Sequence, residues 1–207
     1  MLVSERTTRR PTLRFVVPLF LSLVVISTVV VAVPTARAYT VFSAKWASPS
    51  ASYVQDGSFS QWLGFAPTFS GAASDWNSTG RFNFYSSVSS ANHIKADEYI
   101  GTDLAGTRRT VTGSYITQFN LIVNTYSGFR WYIGSPPVPS GYYDLRTVLR
   151  HELGHALGLC HSHSTSTLMY TTVYQAQSKP VDNDAIYGAD YLYHFNQYEP
   201  GPEGGCF

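Results

Sequence analysis

The sequence predicts an α+β domain, and three observations carry that reading. Leu145, Val148, Leu149, Leu153, Ala156 and Leu157 fall on one side of a helix that begins after Asp144. Phe69, Ala72, Ala73 and Trp76 repeat spacings of three and four over residues 66 to 76, with Pro67 early enough to open a helix. Between the two helices, from Arg81 to Tyr126, lie short β-branched runs of strand length.

The first 38 residues stand apart from that domain. A basic start (Arg6, Arg9, Arg10, Arg14) precedes an apolar run from Phe15 to Val33 and then Ala36-Arg37-Ala38. This is the layout of a secretory signal peptide, with Tyr39 as the mature N-terminus and a secreted, extracellular product. Arg9-Arg10 invites a twin-arginine export route, but Thr12 stands where that signal prefers an aromatic residue, so the route stays open. An uncleaved anchor is the competing reading, because the apolar run nearly spans a bilayer. Pro18, Pro34 and the cleavage site argue against it, so no membrane association is expected after cleavage. The expected organisation is signal peptide 1–38, one folded domain 39–193 and tail 194–207.

Charge excludes one class of partner. The full chain carries 14 Lys+Arg and 13 Asp+Glu. The leader holds five and one of these, which leaves 9 against 12. No basic patch remains as a nucleic-acid footprint. The 169 residues beyond the leader suffice for one core and are few for two domains.

Taken in order, residues 39 to 61 alternate only in part, and a first strand is expected there, as in Thr40 to Trp46. The helical segment at 66 to 76 follows; its Trp76 is read as core. Asn77-Ser78-Thr79 is a glycosylation sequon, meaningful only in a host that glycosylates. Strands are expected at Arg81–Tyr85, His93–Ile100, Arg108–Phe119 and Asn120–Tyr126. Arg108-Arg109-Thr110-Val111-Thr112 is polar enough for an edge. Ser135-Pro136-Pro137-Val138-Pro139-Ser140-Gly141 is a stiff loop leading to the second helix, for which Asp144 is the expected cap.

That helix carries the chemistry. Residues 151 to 162 read His-Glu-Leu-Gly-His-Ala-Leu-Gly-Leu-Cys-His-Ser. His151 and His155 are one turn apart on one face, so both imidazoles can reach a single metal ion. Gly158 suits the left-handed residue that ends a helix, and the reversal returns His161 to the same ion. Three imidazoles on a tetrahedral zinc leave a fourth position for water, the mark of a catalytic ion. Glu152, next to it, can take the proton of that water. An amphipathic core helix that carries three histidines by accident is the plainer reading, and the pattern is too specific for it.

His-Glu-x-x-His-x-x-Gly-x-x-His followed by the Met-bearing turn Ser166-Thr167-Leu168-Met169-Tyr170 resembles the metzincin zinc peptidases. Ser162 and the Leu-Met-Tyr of the turn look like the matrixin (matrix metalloprotease-like) branch, and Asp184 to Tyr193 is similar to its closing helix. The resemblance implies a mixed twisted sheet of about five strands with one antiparallel edge strand. It also implies a long backing helix, an active-site helix, a Met-turn and a C-terminal helix. The implied activity is that of a zinc-dependent endopeptidase, a monomer that binds an extended polypeptide beside its edge strand, Arg108 to Phe119. Met169 would be an apolar floor under the ligands. Thr147, four before the first ligand, and Tyr170 would help to form the specificity pocket, with a plain helix-surface role the alternative for Thr147.

Departures from the family pattern shape the remaining expectations. Matrixins usually read Met-Tyr-Pro-x-Tyr, whereas this chain reads Met169-Tyr170-Thr171-Thr172-Val173, so the outer wall of that pocket differs. Only His93 stands where matrixins hold a structural zinc, which leaves one catalytic zinc and makes His93 an ordinary strand residue. Calcium stays open, because Asp97, Glu98 and Asp103 could ligate a hard cation or simply be solvated. His163 is a poorer match to ligand spacing than His161, and His194 has no partner pattern.

Cys160 and Cys206 both follow the leader, where pairing is allowed, and a disulfide tying the tail beside the site is expected, with Cys160 near the surface. The sharper alternative is Cys206 as a zinc-bound thiolate that keeps the enzyme latent. Two other functions compete: a metal-containing extracellular binding module, which has no need of Glu152, and a peptidase restricted to cell-wall or other short peptides.

Overall fold

The structure, a computed structural model, describes residues 38–99, 101–194 and 206. Leader residues 1–37 lie outside these residues, whereas Ala38 and Tyr39, on either side of the expected cleavage point, are described, and their N–H groups donate to Asp184 Oδ1 at 2.8 and 3.0 Å. Among the described residues no helix is long and apolar enough to cross a membrane.

Among the described residues seven strands and four helices follow one another in the order β1 (Ser50–Gln55), α1 (Gly57–Ser60), α2 (Phe65–Ser78), β2 (Asn83–Ser86), β3 (His93–Asp97), β4 (Ala105–Thr112), β5 (Tyr115–Asn124), β6 (Trp131–Tyr132), β7 (Tyr143–Asp144), α3 (Leu145–Leu157) and α4 (Asn183–Tyr193). Five strands form one sheet in the order β2-β1-β3-β5-β4. The β1–β2, β1–β3 and β3–β5 pairs are parallel, and β4 pairs antiparallel with β5 at the edge. This is the mixed five-stranded sheet with one antiparallel edge strand that the α+β reading expects.

Strand boundaries differ from the sequence reading by a few residues at β2 and β3, the short β6 and β7 were not expected, and two differences are larger. The expected edge strand ran from Arg108 to Phe119, but the chain reverses at Gly113, whose φ of +59° is left-handed, and Thr112 faces Tyr115. Residues 115–119 therefore belong to the inner strand. An alternating pattern runs unbroken through a two-residue hairpin, so periodicity alone does not reveal it. The first strand lies at Ser50–Gln55 rather than at Thr40 to Trp46. The earlier stretch makes only single bridges, Val41 to Leu159 and Lys45 to Tyr115.

One core joins the helices to the sheet. In α2, Phe69, Ala72, Ala73 and Trp76 are buried, as the spacing predicts, and Phe65 is buried with them. The helix packs against α3 and β2, while α3 also meets β4 and β5. Gly154 allows the close approach of α2 and α3: a methyl there would meet Met169 Sδ and come within 3.3 Å of Trp76 Cζ2. Trp76 Nε1 donates to the Arg150 carbonyl at 2.9 Å, which satisfies the indole in the apolar interior. Asn77 of the sequon uses its amide on Phe84, accepting the backbone N–H at 2.7 Å and donating to the carbonyl at 2.9 Å.

Asp182 caps α4, accepting the Ala185 N–H at 2.9 Å. Asp144 stands at the N-cap of α3, yet its side chain accepts no backbone N–H. It accepts the Thr147 hydroxyl at 2.6 Å instead.

Candidate metal centre

The long amphipathic face of α3 fixes the site. Leu145, Leu149, Leu153, Ala156 and Leu157 are fully buried, so the helix cannot rotate without exposing them. That orientation sends His151 and His155 to one side. Gly158, with φ +119°, ends the helix, and its N–H and that of Leu159 return to the carbonyls of His155 and Gly154.

His161 arrives on the strand-like segment that follows, clamped by the residues near the start of the described chain. Phe42 N donates to Gly158 O at 2.8 Å, Cys160 N to Thr40 O at 2.9 Å, and Thr40 Oγ1 to His161 O at 2.6 Å. On its other side Ser162 N donates to Met169 O at 2.8 Å.

The result is a cluster of three imidazoles. His155 Nε2 lies 3.0 Å from His151 Nε2 and 3.2 Å from His161 Nε2. Two nitrogens on a tetrahedral zinc, each about 2.0–2.1 Å from it, are separated by about 3.3 Å, so the cluster fits that ion. The opposite ring nitrogens of the helical pair are anchored: His151 Nδ1 to Leu168 O and His155 Nδ1 to Leu159 O, both at 2.9 Å. A carbonyl only accepts, so Nδ1 carries the proton and Nε2 keeps its lone pair for a metal. Burial pushes His151 down to about 4 and His155 well below its ordinary value, and it lowers His161 too. All three stay neutral at neutral pH, the form that binds zinc.

Glu152, buried next to His151, faces the same cleft of about 570 Å³, which is also lined by His155, His161, Thr107 and Val148. Burial raises its carboxyl to about 7, against the opposing effect of a hydrogen bond from Thr107. Met169 is fully buried against Gly154, under the helix that carries two of the histidines.

The other residues singled out from the sequence are spread around this centre. Thr147 is fully buried, its hydroxyl donating to Asp144 and accepting the Lys179 N–H at 2.8 Å. Tyr170 is half-buried with Lys179 Nζ 5.8 Å from its ring centre, while Thr171, Thr172 and Val173 line the cleft. His93 pairs with Asp56, Nδ1 to Oδ1 at 2.7 Å, and His163 is exposed. Among the described residues, His151, His155 and His161 form the one group able to hold a metal.

Cys160 and Cys206 are joined in a disulfide, so the alternative that makes Cys206 a zinc thiolate is set aside. Cys160 is buried, contrary to the expectation of a surface position, because the Thr40 to Phe42 segment covers its backbone.

Sequence reasoning missed the supporting residues. Thr107 and Arg109 on β4, and Thr40, act on partners far along the chain and leave no local pattern. Asp182 was readable, since an Asp just before a helical run is a cap.

An α+β domain with three converging neutral histidines and an adjoining carboxylate in a cleft is the framework of a metal-dependent hydrolase. Comparison with known proteins gives the family. The matrixin family model matches residues 65–194. Metalloendoproteinase 2-MMP of Arabidopsis thaliana is 43% identical over 54 residues, 26% of this chain and 14% of that protein. Karilysin of Tannerella forsythia is 40% identical over 63 residues, 30% of this chain and 13% of that protein. The matched stretch is thus under one-sixth of either relative's length. The chain belongs to the matrixin family.

Proposed function

We propose that this chain is a secreted, zinc-dependent endopeptidase in which His151, His155 and His161 hold the ion and Glu152 is the general base. The observation that carries the reading is the convergence of three Nε2 atoms beside a buried carboxylate in one open cleft. When bound, zinc lowers the pKa of a water molecule and polarises the scissile carbonyl. Glu152 takes the proton of the attacking water and returns it to the leaving amine.

The substrate is a polypeptide lying extended along β4, whose far edge has no strand beside it among the described residues. Backbone pairing there gives affinity without sequence preference, and the cleft walls supply the preference. Export through residues 1–38 and a mature start at Tyr39 complete the proposal, with the domain acting as a monomer.

Protein digestion with and without a zinc chelator tests it. Glu152→Ala is expected to keep zinc and lose proteolysis, and His155→Ala to lose both. Proteolysis that survives either substitution sinks the mechanism.

A further inference from the structure

β4 turns alternate side chains toward α3, and two of them grip the helix. Arg109 Nη1 donates to the carbonyls of His155 and Leu159 at 3.0 and 3.4 Å. Thr107 Oγ1 lies 2.8 Å from Glu152 Oε2 and 3.1 Å from the Glu152 backbone carbonyl. A hydroxyl has one proton to give. The carboxylate is the nearer acceptor and the bond to it is charge-assisted, so it takes the proton. The second carboxylate oxygen has no hydrogen-bond partner among the described residues, and Glu152 lines the cleft.

We infer that Thr107 is a positioning residue for Glu152, fixing one carboxylate oxygen so that the other is aimed at the attacking water. The inference rests on Glu152 being the general base and says how that base is held. A glutamate side chain has several rotatable bonds and only weak preferences for the last one. Threonine is stiff at its first bond, so the direction of its hydroxyl is set by the strand itself. The same strand is the one proposed to receive the substrate backbone. Base and scissile bond are therefore aligned by a single element, with the hydroxyl on its inner face and the pairing groups on its edge. Misplacing a reacting group by about 1 Å can cost on the order of a hundredfold in rate.

Thr107→Val keeps the shape and removes the hydroxyl, while Thr107→Ser keeps the hydroxyl. In the zinc-loaded full chain with a peptide substrate, the valine variant is expected to lose about thirtyfold in kcat with KM within about twofold. The serine variant should stay within about threefold of wild type, and thermal midpoints should show all three folded. A second readout needs no turnover. The chain's glutamates are Glu5, Glu98, Glu152, Glu199 and Glu203, so carbon-13 NMR of the Glu Cδ carboxyls can be assigned with Glu152→Gln. In zinc-free protein, Thr107→Val should shift the Glu152 resonance alone, and Thr107→Ser should restore it. An unchanged kcat in the valine variant, a serine variant as poor as valine, an effect confined to KM or an unmoved resonance each overturns the inference. Failure of the peptidase reading looks different: wild type itself then shows no chelator-sensitive turnover, while the carboxyl resonance still responds to the valine substitution.

Discussion

Asp182 holds Leu168 by its backbone, its Oδ2 accepting the Leu168 N–H, and the carbonyl of Leu168 in turn takes Nδ1 of His151. The cap of α4 is thus two hydrogen bonds away from a proposed metal ligand. Replacing Asp182 by Ala should cost about 1 kcal/mol for the lost cap and weaken zinc binding about tenfold. Thermal unfolding of the metal-free protein and a competitive zinc titration measure the two effects separately. An unchanged zinc affinity would show that the Leu168 carbonyl holds its place without Asp182.

Burial raises the Asp182 carboxyl above its ordinary 3.8, against the opposing effect of the hydrogen bonds from Ala185 and Leu168. The folded state then binds the proton more tightly than the unfolded state does. Stability from this group is present below the unfolded pKa and is lost as pH rises through the folded one. The stability difference between wild type and Asp182→Asn should therefore shift against wild type as pH climbs from about 3.8 through the mildly acidic range. Urea midpoints of both proteins across that range check it, and a difference that moves the other way contradicts the direction.

Gly154→Ala should destabilise the fold by about 1–3 kcal/mol through overpacking, because the new methyl meets Met169 Sδ and crowds Trp76. Denaturant unfolding measures it. A neutral result would mean that Met169 can swing aside although it is fully buried.

The Cys160–Cys206 disulfide spans 46 residues of sequence. Chain-entropy reasoning gives it roughly 2–4 kcal/mol. Cys206→Ser should lower the thermal midpoint, and a reductant should bring wild type down to the variant while leaving the variant unmoved.

If zinc binds the folded cluster and not the unfolded chain, as proposed, free zinc at about a hundred times its Kd should add about 2.7 kcal/mol. Scanning calorimetry with and without chelator reads this, and His161→Ala should remove most of the gain.

The centre was legible because its information is local. His151 and His155 share a helical turn, Gly158 marks the reversal, and His161 follows within three residues. The five-stranded mixed sheet came from the resemblance that those residues carry, since propensity alone does not set strand order. What failed was bounded by geometry that the pattern does not encode. A hairpin at Gly113 and Ser114 keeps the alternation on both sides, so two strands read as shifted. Residues 40–46 have a strand-like composition but spend their backbone hydrogen bonds on residues 158–160 and 114–116 and, at Trp46, on the Tyr193 hydroxyl. Thr107 reaches Glu152 across 45 residues, a distance at which only folding makes the pair visible.

The clamp of Thr40 and Phe42 on residues 158–161 bears on how long such an enzyme would last. Trimming the chain by a handful of residues past Tyr39 would remove the hydroxyl that holds the His161 carbonyl and the N–H that holds Gly158. Self-digestion at that end would release His161 and would also strip Tyr39 and Val41 from the core, Tyr39 being packed against Tyr191 of α4. Preparations that fade with storage should be checked first by sequencing their N-termini.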